Sequence, residues 1–118
     1  MEFGFTHFRE SSLSFEDVEF GKGEVTFMLA QFGEGNIFFN GAQFGEGRVN
    51  FFSANLSAEI ISFENCQAEA VYFENVIFRN YIDLRFKRID KLVIEDCKVE
   101  KIMQCDTANI AKLSFFKT

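Results

Sequence analysis

The stretch from Val18 to Asn65 is written in units of about twelve residues: VEFGKGEVTFML, AQFGEGNIFFNG, AQFGEGRVNFFS and ANLSAEIISFEN. A fixed period constrains a chain more than its composition does, because every unit must find the same local structure. Phe20, Phe32, Phe44 and Leu56 fall twelve apart, and so do Phe15, Phe27, Phe39, Phe51 and Phe63. Each has an apolar residue two positions earlier: Val18, Ala30, Ala42 and Ala54 for the first series, Leu13, Val25, Ile37, Val49 and Ile61 for the second. Apolar–polar–apolar followed by a turn describes a very short strand with two inward side chains, since successive strand residues face opposite ways. A helix does not fit, because a period of five or twelve does not hold one face at 3.6 residues per turn.

Beyond Phe63 the spacing shortens, and the inward positions sort into four columns. The first is Phe8, Phe32, Leu56, Phe78 and Val99; the second is Phe15, Phe39, Phe63, Leu84 and Gln104. The third is Phe20, Phe44, Ala68, Ile89 and Ile110; the fourth is Phe27, Phe51, Phe73, Ile94 and Phe115. The residues two positions earlier test the grouping independently. In columns two and four all are large aliphatics, from Leu13 and Val25 through Ile82 and Leu92 to Ile102 and Leu113. In columns one and three most are small: Thr6, Ala30, Ala54, Val76 and Cys97, and Val18, Ala42, Cys66, Lys87 and Ala108. A four-sided coil with alternating large and small walls produces this sorting. Lys87 and Gln104 fall on nominally inward positions, where the register is open to a local slip. Phe86 is the alternative inward residue to Lys87.

The segment Ala54-Asn55-Leu56-Ser57-Ala58 resembles the A-N/D-L-x-x unit of the pentapeptide-repeat family, and Ala30-Gln31-Phe32 and Ala42-Gln43-Phe44 resemble its Phe-centred variant. The resemblance runs from about Phe8 to Phe115 and is strongest over Val18–Phe78. It implies an all-β, right-handed quadrilateral β-helix, here of about five coils in a single domain over residues 1–118. Two-residue insertions depart from the pattern, at Gly21-Lys22-Gly23, Gly33-Glu34-Gly35 and Gly45-Glu46-Gly47. Glycine there supplies backbone free to take φ > 0 at a corner.

Little in the chain suggests chemistry. The Gly-x-Gly loops lack the following helix whose N-terminus would face a phosphate. His7 is the only histidine and falls outward by register. Cys66 and Cys97 fall on inward small positions, where a free thiol packs as a small hydrophobe. Cys105 lies beside an irregular turn, and no cysteine spacing matches a zinc site. Glu16, Glu64, Glu74 and Glu95 follow inward corners and face solvent. The expectation is a non-enzyme with no cofactor and no metal. A net charge of −6 disfavours direct nucleic-acid binding. No apolar run approaches the ~18 residues of a membrane span, and the N-terminus lacks the basic and apolar regions of a signal peptide. A cytoplasmic, reducing setting is expected.

Two surface features stand out. Residues 1–78 hold three Lys/Arg against twelve Asp/Glu, and residues 79–118 hold nine against six, an acidic body with a basic end. Met28, Leu29, Phe52, Tyr72, Val93 and Phe116 are apolar or aromatic residues at outward positions near column four, a candidate interaction surface. The leading functional reading is an interaction module acting through its outer surface on an unidentified protein partner. The family implies an alternative, a DNA mimic that binds DNA gyrase or a related topoisomerase. Against it, a coil stack of about 24 Å would need roughly 14 negative charges to match duplex DNA. A third reading is an effector-associated module. Leu113 and Phe115 belong to a final coil with one neighbour, which leads to the expectation of a homodimer through the C-terminal coil.

Overall fold

Strands of two residues cannot bury a face alone, so the fold must recover its stability by stacking one coil on the next. The computed structural model describes residues 4, 7–8, 12–33, 35–56, 58–101, 103–105 and 110–116. Taken in chain order, the first rung holds β1 (His7–Phe8), β2 (Leu13–Ser14) and β3 (Val25–Thr26). The second holds β4 (Gln31–Phe32), β5 (Ile37–Phe38) and β6 (Arg48–Asn50). The third holds β7 (Asn55–Leu56), β8 (Ile60–Ser62) and β9 (Gln67–Glu74). The fourth holds β10 (Ile77–Phe78), β11 (Tyr81–Leu84) and β12 (Arg88–Glu95). The fifth holds β13 (Lys98–Val99), β14 (Met103–Cys105) and β15 (Ile110–Phe116).

Corresponding strands stack in parallel into three five-stranded sheets, β1-β4-β7-β10-β13, β2-β5-β8-β11-β14 and β3-β6-β9-β12-β15. These form the first, second and fourth sides. The third side begins as parallel bridges from Glu19 to Gln43 to Gln67. It continues as the leading residues of the long strands, where Ala68, Ile89 and Ile110 stand in register. Among the described residues there is no helix, and the fold is an all-β solenoid. About four turns separate the first strand of a stack from the last, slightly fewer than the five coils expected. Four rises of ~4.8 Å match the shortest molecular extent, 20 Å of 32 × 32 × 20 Å. The solenoid is therefore broader than it is long.

Two sets of corners share one device. Phe15, Phe27, Phe39, Phe51 and Phe63 each accept, on the carbonyl, a hydrogen bond from the amide three residues on, at 2.9–3.2 Å. The residue two after the Phe lies at positive φ in every case: Asp17, Leu29, Gly41, Ser53 and Asn65, at 53–72°. This is the type II turn, which needs a left-handed third residue. A polar residue just before the Phe adds a bond to the corner amide, as in Thr26 Oγ1 to Met28 and Asn50 Oδ1 to Phe52. Two of the inserted loops call for glycine. Gly21 and Gly23 take φ of 73° and 97° as expected. Gly45 and Gly47 do not; a Cβ there would lie 2.0 and 1.9 Å from the carbonyl oxygens of Gly21 and Gly23, on which they stack.

The interior is a two-way aromatic lattice. Along column two Phe15 stacks on Phe39 and Phe39 on Phe63, at 5.0 and 4.8 Å. Along column four Phe27 stacks on Phe51 and Phe51 on Phe73, both at 5.0 Å. The columns meet edge to face in a zigzag of Phe15, Phe27, Phe39, Phe51, Phe63 and Phe73. Both arrangements suit the ring quadrupole.

Three expectations need correction. Phe86, not Lys87, points inward: Phe86 is fully buried and tilts on Phe63 at 5.6 Å, whereas Lys87 is exposed. A lysine cannot be buried without a partner. The register also slips by one at Gln104, which pairs with outward Asp83, while Met103 pairs with Ile82 and Cys105 with Leu84. Val18 is exposed, since its rung has a neighbour on one side only. Thr6, Ile102 and Ala108 lie outside the described residues.

Candidate interaction face

The fourth side carries three outward ladders, because alternate residues of its strands point away from the core. One ladder is Glu24, Arg48, Ala70 and Lys91, with Lys112 next in register. The middle ladder is Thr26, Asn50, Tyr72 and Val93, followed by Ser114. The third is Met28, Phe52, Glu74 and Glu95, followed by Phe116. All six predicted surface residues therefore fall on this side or its corner, although they do not form one continuous patch. Met28 and Phe52 stand on adjacent rungs, with Leu29 at the corner beside them. Tyr72 and Val93 stand on the next two rungs of the middle ladder.

The exposures differ from the expectation in one case. Leu29 and Phe52 are exposed, at 38% and 37%, and Met28 and Tyr72 are half-buried. Val93 is only 7% exposed, although it lies outside the core cluster, as does Ala70. Strand parity places Val93 outward, but it is buried there. The Arg48 guanidinium lies 5.7 Å and the Lys91 ammonium 5.5 Å from the centre of the Tyr72 ring. Such cations are held by the negative face of the ring while their apolar stems cover neighbouring surface. Phe116, Leu113 and Phe115 lie in β15, where Leu113 is in register with Leu92 and Phe115 with Ile94. Their side chains, like that of His7, lie outside the described residues.

Local rules break along this side. At the left-handed corner the equivalents of Leu29 are Ser53, Asn75 and Asp96, with φ of 53–57°. Leu29 has φ of 59°, and an L side chain other than Gly, Asn or Asp costs roughly 1–2 kcal/mol there. In the middle ladder, Tyr72 and Val93 replace the Thr26 and Asn50 that bond the corner amide. Strain and lost bonds of this kind concentrate at functional surfaces. Phe38 makes a similar exchange on the second side, where it stands between Ser14 and Ser62. Ile77, exposed on the first side between inward Val76 and Phe78, is an outward apolar residue that the sequence reading missed although the same parity places it. It helps to line a groove of about 280 Å³ with Ser53, Asn55, Asn75 and Arg79, around the corner from Phe52.

The polar groups elsewhere are committed to structure. Asp83, buried on the second side, accepts both oxygens' worth of contact from Arg85, with Nε at 3.0 and 3.1 Å and Nη2 at 2.7 Å. Arg85 also bonds Glu64. The hydrogen bond to Asp83 raises the Arg85 pKa further above its ordinary value. The Cys66 thiol is fully buried, donates to the Phe39 carbonyl, and is pushed up to about 12 by burial. Cys97 is half-buried and raised by the same cause. A wider groove of about 420 Å³ opens on the third side, where the inserted loops end and Gly45 and Glu46 overhang Glu69, Arg88 and Asp90. Among the described residues no group of three or more His, Cys, Asp or Glu could hold a metal ion, and no helix is long and apolar enough to cross a membrane. Comparison of the chain with protein-family models, with curated proteins and with solved structures finds no match.

Proposed function

We propose that this chain is a non-enzymatic scaffold of the pentapeptide-repeat type, working in a reducing cytoplasmic setting, whose fourth side engages protein. The observation that carries the reading is Leu29. A large apolar side chain stands exposed at a left-handed corner where the other rungs carry Ser53, Asn75 and Asp96. Asn or Asp, as at Asn75 and Asp96, would hold the same turn at lower strain. Beside it lie Met28 and Phe52, and above them Tyr72 between two cations. The filled aromatic interior supports a role on the surface, and the free Cys66 and Cys97 suit a reducing compartment. The DNA-mimic alternative is less favoured. Arg48, Arg85, Arg88 and Lys91 interrupt the acidic surface, and the stack is only 20 Å deep.

A panel of surface variants tests the reading. Leu29→Asn keeps the turn, because Asn accepts the left-handed region. Immobilised protein should lose its bound proteins from source lysate in Leu29→Asn and in Tyr72→Ser, and keep them in the second-side control Phe38→Ser. Equal retention by all three variants would place any contact elsewhere.

A further inference from the structure

We infer that the fourth side is self-complementary, and that a second copy of this chain docks on it about a two-fold axis parallel to the solenoid axis. The inference rests on the reading of this side as an interaction face and names its partner. The three outward ladders order the charge across the face. Arg48 and Lys91 lie on one edge, above Glu24 on the first rung; Tyr72 and Val93 lie in the centre; and Glu74 and Glu95 lie on the other edge, above the apolar Met28 and Phe52. Among the described residues, neither Arg48 nor Lys91 makes an ion pair within the chain. Both are held over an aromatic ring and remain available to a carboxylate.

A two-fold axis parallel to the stack exchanges left and right on the face while keeping every rung at its own height. Lys91 of one copy then faces Glu95 of the second copy on the same rung. Arg48 faces Phe52 of the second copy and lies one rung, about 4.8 Å, from the height of its Glu74. Tyr72, with the Arg48 and Lys91 cations over its ring, meets its own counterpart on the axis, whereas Val93 lies beneath the contact. A two-fold along the strand direction keeps left on left and sets cations against cations, so the charge order selects the first axis. Four rungs by three ladders cover roughly 400 Å² per copy. The two copies together bury about 800 Å², below the ~1,200 Å² of standard interfaces, so the dimer is a weak and transient one.

Sedimentation velocity on the purified chain from ~20 to ~500 μM tests this. The wild type should show a concentration-dependent dimer that weakens with added salt. Lys91→Glu and Glu95→Lys should each weaken it about tenfold or more, because each sets like charges opposite one another. The double variant should restore it. Circular dichroism verifies the fold of each, and the two reversals report independently. A wild type monomeric at ~500 μM overturns the proposal. So does a dimer indifferent to both reversals, which would place the contact at another surface such as the end bearing Leu113 and Phe115. If the wild type is monomeric while Leu29→Asn still loses its lysate partners, the interaction face stands and only self-docking falls.

Discussion

Phe51 offers the sharpest test of how the interior holds together. It is fully buried, lies flat against Phe27 and Phe73 at 5.0 Å each, and meets Phe39 and Phe63 edge-on at 6.2 and 5.8 Å. Phe51→Ala removes most of the roughly 1.5–3 kcal/mol of side-chain burial. It also removes four ring pairs worth ~0.5–1.5 kcal/mol each beyond area. The void cannot close easily. The rungs are tied across it, with the Phe27 amide donating to Asn50 at 2.7 Å and the Phe51 amide to Tyr72 at 2.9 Å. A site that relaxes little sits at the top of the range for such truncations, so the expected loss is about 4–5 kcal/mol. Phe51→Leu keeps the site apolar and gives up the ring geometry; it should lose only about 1–2 kcal/mol. Reversible urea melts followed by far-UV circular dichroism measure both. A loss under about 1 kcal/mol for Phe51→Ala would show that the stacked columns do not stabilise the fold. Leu as damaging as Ala would show that ring geometry, not filling, dominates.

The loop stack predicts a contrast between glycines. Gly45→Ala should destabilise by ~1–3 kcal/mol through backbone collision, whereas Gly21→Ala meets open space and should lose only ~1–2 kcal/mol from its φ of 73°; a thermal melt in which Gly45→Ala is neutral would contradict the packing. Cys66 predicts an alkaline limit. Its pKa rises from 9.0 to about 12 on folding, so the folded state holds the proton longer; that contribution is complete below pH 9 and lost as pH climbs toward 12, at up to ~1.4 kcal/mol per pH unit. Cys66→Ala, which copies Ala42 one rung below, should flatten stability against pH in this window, and an unchanged slope would exclude the thiol as its source.

The architecture was legible because one side chain recurs at one spacing. The large and small partner positions, Ile37 and Val49 against Ala30 and Ala42, fixed the four sides before any contact was known. Failures occurred where a corner changed type. Phe86 lies two after Leu84, where the lower rungs place Asp17, Gly41 and Asn65 at positive φ, but it is absent from that set and turns inward instead. A count of five residues per corner therefore selected Lys87. The slip at Gln104 has the same origin, one residue gained or lost at a corner. The outer face was legible in position and not in exposure. Parity gives the direction of Val93 but not its burial, which spacing does not report. The strain at Leu29 needed the turn type, which no spacing reveals.

The twelve-residue unit spans half a turn, not a whole one, and this has a consequence for how such a chain can change. Columns two and four carry the same pairing, Phe with a large aliphatic, and columns one and three carry the other. Gaining or losing one unit would rotate everything after it by half a turn. The interior would not register the difference, since Phe39 can stand where Phe51 stands and keep a flat neighbour on each side. The exterior would, because residues from the second side would arrive beneath Tyr72 and those of the fourth would leave. Insertion and deletion of single units can thus reshuffle outer faces against one another on a constant core, which gives this fold a route to new surfaces that does not pass through a destabilised intermediate.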